Sequence, residues 1–178
     1  HGIQHGLMLI TSSIPILCKL NVENLYIASS YYEGCEKDFG KNITCGSDPK
    51  IDNKIKFASG KVIHDGYELK RQDKIKIVTQ YAKENRKKFF LKVCHDQKSL
   101  TNCCNCEKCY RTILGILAEG ENPNNFGFNI SDNIGIKFRE FLEKEVINFA
   151  GQNNIAWNDI KNRLSDNREN VMYFKELE

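Results

Sequence analysis

One stretch constrains this chain more than any other: Cys94-His-Asp-Gln-Lys-Ser-Leu-Thr-Asn-Cys103-Cys104-Asn-Cys106-Glu-Lys-Cys109. Five of the eight cysteines fall within it. A disulfide scaffold scatters its cysteines through a short secreted chain. Gaps of two residues instead bring several thiolates to one point. Cys103, Cys106 and Cys109, with the outlying Cys94, supply four sulfurs, the number a tetrahedral zinc takes at ~2.3 Å per Zn–S bond. An iron–sulfur cluster is the other centre that such spacing suits. Four protein ligands leave no open position, so the expected zinc is structural rather than catalytic. Cys104, the direct neighbour of Cys103, is the spare. Lys108 and Arg111 would offset the negative charge of four thiolates. Cys18, Cys35 and Cys45 show no ligand spacing and read as small apolar packing residues. Reduced thiols in this number point to the cytoplasm.

Composition narrows the class further. With 40% hydrophobic and 28% charged residues the chain can build an ordinary core, which excludes global disorder. No run of ~18 apolar residues exists, so no membrane-spanning helix is expected. A formal charge of +3 is too balanced to select nucleic acid or an anionic membrane as partner. The 178 residues fit one domain with a small appendage.

Along the chain, residues 3–20 suit a helix that Pro15 would kink. Leu25 to Ser29 reads as a short buried strand. Residues 30–60 are broken by glycines and Pro49, and an irregular stretch of that length is often functional. Lys61 to His64 is a second strand, ending in an Asp65-Gly66 turn. Residues 71–86 suit a helix with Ile75, Val78, Tyr81 and Ala82 on one face. Phe89 to Val93 is a third strand running into Cys94. Tyr110 to Glu119 is an apolar helix closed by Gly120. Such alternation is that of an α/β protein with a parallel sheet. Residues 132–150 form an amphipathic helix through Ile134, Phe138, Phe141, Leu142, Glu145 and Phe149. Another helix covers Trp157 to Leu164, and a last apolar patch is Val171 to Phe174. The expected division is residues 1–120, holding the cysteine loop 94–109, and a helical appendage over 121–178.

The cysteine loop resembles the zinc loop of ATP pyrophosphatases of the PP-loop superfamily, 7-cyano-7-deazaguanine synthases among them. Those carry a lone Cys, a short spacer, then Cys-Gly-x-Cys-x-x-Cys, followed shortly by Arg. Cys94, Cys103, Cys106 and Cys109 take the four ligand places, and Arg111 the place of the trailing Arg. Cys104 stands where that pattern has Gly, a departure that makes it a competing ligand. Weaker matches follow in the superfamily's order: Ile27 to Ser30, Gly46 to Pro49, Val62 to Gly66, Arg71 with Lys74, and Asn102 to Thr112. Together they cover residues 2–120. The resemblance implies a partial Rossmann-like, HUP-type parallel sheet with flanking helices. It also implies an enzyme that adenylates a small molecule or nucleobase and releases pyrophosphate, using ATP and Mg in its intact form. The Ser-Gly-Gly-x-Asp-Ser loop that holds ATP in this superfamily is missing from the sequence. The expectation is therefore the substrate-side, zinc-loop portion of such an enzyme, inactive by itself. A chain starting at His1 rather than Met fits that expectation.

Other residues are candidates for binding substrate or phosphate. His64 and Asp65 would sit at a strand end, where ligands bind in α/β sheets. Arg71 and Lys74 share a helix face and Arg111 follows the cysteines. Ser47 and Asp48 precede Pro49 in the irregular stretch. No residue is assigned to catalysis. The competing reading is a stand-alone zinc module contacting nucleic acid or a protein partner. Only Lys98, Lys108 and Arg111 lie near the cysteines, which argues against nucleic acid. A small-molecule substrate is the expected partner, with no membrane. An incomplete sheet edge would favour a homo-oligomer.

Overall fold

Valine and histidine two apart in Gly60–Asp65 point to one side of a strand and are buried, while Lys61 and Asp65 point away and are exposed. That strand, β3, organises the first of two contact units, His1–Lys70 and Arg71–Glu178, in the computed structural model. The structure describes residues 5–40, 45–94, 99–131, 133–144 and 152–168. Glu145, Phe149 and the Val171 to Phe174 patch lie outside them.

In the first unit, α1 (His5–Lys19) precedes β1 (Asn24–Ala28), which pairs in parallel with β3 in the register Leu25↔Val62 and Ile27↔His64. Pro15 is accommodated inside α1. The expected irregular stretch contains two short helices, α2 (Cys35–Phe39) and α3 (Pro49–Asp52), and a two-residue strand, β2 (Lys56–Phe57). β2 runs antiparallel to β3, giving a mixed sheet in the order β1-β3-β2. The close approach of the start of β3 to the chain entering β1 requires Gly60: a Cβ there would stand 1.9 Å from the Glu23 carbonyl oxygen.

The expected third parallel strand, Phe89 to Val93, is a correction. The segment has no regular secondary structure and belongs to no sheet among the described residues. Its alternate N–H groups donate elsewhere: Phe89 to the Asn125 carbonyl at 3.0 Å and Leu91 to the Phe126 carbonyl at 3.0 Å. Both acceptors lie in the 3-10 turn Pro123–Phe126. The apolar pattern marked burial correctly, since Phe89, Leu91 and Val93 pack on the core, but burial there comes from helices.

The second unit is helical. α4 (Arg71–Glu84), α5 (Glu107–Ala118), α6 (Ile134–Lys144) and α7 (Gln152–Asp166) share one core. Tyr110, Ile113, Ile116 and Leu117 of α5 are fully enclosed, each contributing on the order of 1.5–3 kcal/mol by burial. Gly120 takes a left-handed φ of 75° and ends α5, its N–H on the Leu117 carbonyl and that of Glu121 on the Ile116 carbonyl. The Arg163 guanidinium of α7 bonds Glu119 through both carboxylate oxygens at 2.9 to 3.1 Å. Apolar residues of the Pro123–Phe126 turn, α6 and α7 thus share the core of α4 and α5.

Candidate metal centre

The cysteine loop is built from two ends. One end is the segment leading to Cys94; the other is the start of α5. The Asn102 side chain, almost wholly buried, fixes the first. Its Oδ1 accepts from the N–H groups of Val93 and Cys94 at 3.0 and 3.2 Å. Its Nδ2 donates to the carbonyls of Leu91 and Gly127 at 2.7 and 3.1 Å. One carboxamide therefore satisfies four backbone groups that no ladder reaches. The second end is set by the helix. Cys106 occupies the N-cap position of α5 with extended backbone, and Cys109 falls in the first helical turn. At a helix N-terminus the free N–H groups and the dipole favour negative charge, here a thiolate.

These two devices bring Cys94, Cys103, Cys106 and Cys109 together, their Sγ atoms all within 4.8 Å of one another. The Cys94–Cys106 separation is 3.9 Å and the Cys103–Cys109 separation 3.8 Å. A tetrahedron with ~2.3 Å arms has edges of about 3.8 Å, so the sulfurs already stand near the spacing that one ion imposes. All eight cysteines are free thiols. Cys109 is fully enclosed and Cys94 nearly so, whereas Cys103 faces solvent.

Burial pushes the Cys109 thiol far up, with the neighbouring Cys106 thiol adding to the effect. Burial also raises Cys103 and Cys104. A metal must displace these protons to bind. Cys104 lies outside the four-sulfur group, as expected. Its φ of 55° is left-handed and turns the side chain away. There its Sγ accepts from the Asn129 N–H at 3.3 Å.

The other sequence candidates fall into separate places. In the first unit Ser47 and His64 meet, through a residue the sequence reading did not single out. Asp52 Oδ2 accepts from Ser47 Oγ at 2.6 Å and from His64 Nδ1 at 2.8 Å, all three buried. A serine, a histidine and an aspartate in contact invite comparison with a hydrolytic triad, but the connectivity is wrong. The serine bonds the carboxylate directly, and the buried His64 Nε2 has no partner among the described residues. Only α3, carrying Asp52 one turn beyond Pro49, could have revealed the trio. Asp48 caps α3 by accepting from the Lys50 N–H at 2.7 Å. Asp65 alternates away from His64 and is exposed.

In the second unit Arg71 and Arg111 come together. Arg71 Nη2 donates to Thr112 Oγ1 at 2.8 Å, and Arg111 lies 3.4 Å from Glu107. Although the Arg71 residue is exposed overall, loss of solvent around its guanidinium and the charge of Arg111 push its pKa down to about 10. The two guanidinium groups thus stand close to each other and to Glu107, beside the cysteine loop. Lys74 lies on α4, partly buried. Lys98 is outside the described residues. Cys35 is buried as a packing residue, and Cys18 and Cys45 are half-buried.

No protein-family model matches the chain, and neither a curated protein nor a solved structure matches it. Among the described residues no helix is long and apolar enough to cross a membrane. The four-cysteine cluster is compatible with a structural metal.

Proposed function

We propose that Cys94, Cys103, Cys106 and Cys109 hold one structural zinc ion in a chain that is the substrate-side portion of an ATP-dependent PP-loop enzyme. The observation that carries the metal is the four-sulfur spacing, which suits a single ion. A cube of four irons and four sulfides would need the thiolates further apart than 4.8 Å. Two further features support the enzyme reading. Cys104 adopts the left-handed backbone that Gly adopts freely, at the place where the zinc loops it resembles carry Gly. Arg71 and Arg111 lie close together near Glu107, a pair of guanidinium groups suited to pyrophosphate or an acidic substrate. His64 and Ser47 are tied to Asp52 within the fold, so the arginines are the stronger phosphate candidates.

A second reading is a self-contained zinc module contacting another macromolecule. It draws support from the confinement of all four ligands to the one unit Arg71–Glu178.

Elemental analysis of the purified chain is the first test: one zinc per chain supports the metal assignment, while iron with visible absorbance overturns it. Pyrophosphate release from ATP tests the enzyme reading. The chain alone should release none. Release should appear when a segment bearing the Ser-Gly-Gly-x-Asp-Ser loop is supplied and should fall with Arg111→Ala. Zinc without any such release, together with salt-dependent binding of RNA or DNA, would decide for the module.

A further inference from the structure

A cavity of about 540 Å³ opens beside the cysteine loop, between that loop and α6. Its size falls within the range of small-ligand sites, roughly 300–1,000 Å³. Its apolar side is made by the half-buried Phe141 and Ile130, backed by the enclosed Tyr110 and Ile134, with the Tyr110 and Phe141 rings 4.8 Å apart between centroids. Its polar side includes Lys137 and Glu140, three residues apart on one face of α6 and both solvent-exposed. Opposite charges at that spacing commonly close on each other. Here they form no ion pair with each other or with any other described residue. Lys137 Nζ makes a 3.3 Å contact with the Ser131 hydroxyl. The cavity therefore presents one cation and one anion side by side above an aromatic and aliphatic surface. The exposed metal-loop residue Cys103 forms part of its wall.

We propose that this cavity binds a small zwitterion with an apolar body, of amino-acid size. The ligand carboxylate faces Lys137, its ammonium faces Glu140, and its side chain lies on Phe141 and Ile130. The bound molecule covers Cys103. The site is independent of the ATP-dependent reading, since every residue it uses belongs to the cavity.

The test is calorimetric titration of the zinc-loaded full chain with L-phenylalanine, L-leucine and the uncharged N-acetyl-L-phenylalanine amide. Saturable binding of the free amino acids is expected, with the amide at least tenfold weaker. Lys137→Gln and Glu140→Gln, both at exposed positions, should each weaken L-phenylalanine about tenfold. L-phenylalanine should also slow zinc transfer to a chromophoric chelator, because it shields Cys103. The proposal is overturned by no saturable binding at millimolar concentration, or by equal affinity for amide and amino acid. It is equally overturned by undiminished binding in both variants, or by zinc transfer that is indifferent to the ligand.

Discussion

At Asn102, Cys104 and Asp52, single side chains decide local structure in ways their residue types do not announce. Asn102 ties four backbone groups of the metal loop. Asn102→Ala should weaken zinc affinity by roughly 10–100-fold, as loss of a residue supporting metal ligands does, measured by competition with a chelator. Cys104→Ser should leave one zinc per chain, since Cys104 points away from the four sulfurs. Asp52→Ala strands Ser47 and His64 in the interior and should cost about 1–3 kcal/mol in denaturant unfolding. The raised thiols give a pH dependence with a definite sign. In the metal-free chain the folded pKa of Cys103, Cys104 and Cys109 lies above the unfolded value of about 8.5. Their contribution to stability is present below that value and is lost as pH rises through the folded ones. The midpoint temperature of the metal-free form should fall between pH 8 and 10. Zinc affinity should rise over the same range, because fewer protons remain to be displaced.

Helices were the elements most legible in the sequence. The 3.6-residue spacing in Ile75, Val78 and Ala82 and the apolar run from Tyr110 identified α4 and α5 because each helix carries its own hydrogen bonds. Phe89 to Val93 was misread for the converse reason. A strand exists only if a neighbour accepts its backbone groups, and here the Pro123–Phe126 turn intervenes. The α5–α7 contact rests on an ion pair that no local pattern discloses. Arg163→Ala should remove about 1.5–3 kcal/mol, a range typical of hydrogen bonds to charged groups, because the nearly buried Glu119 loses its counter-charge and keeps only the Gln72 amide as a donor. Gly60→Ala should destabilise the β1–β3 pairing severely, since the clash is with the Glu23 backbone, which cannot swing aside. Thermal unfolding of the two variants checks both.

Among the described residues, the four clustered cysteines fall in one contact unit and the sheet in the other. Chelation should strip hydrogen-exchange protection from Cys94 and from residues 102–110 while β1 and β3 keep theirs. The double variant Cys103→Ser with Cys106→Ser should reproduce the chelated pattern without any chelator. By itself the sequence determined which four cysteines cluster, that Cys104 stays outside them, and the position of most helices, because tight spacing and helical periodicity act over a few residues. Tertiary structure alone decided that Asn102 holds the loop, that Asp52 joins Ser47 to His64, that Arg71 reaches Arg111, and that Lys137 and Glu140 border a cavity beside Cys103. Each of those depends on segments brought together from afar in the chain, by burial that ignores sequence distance.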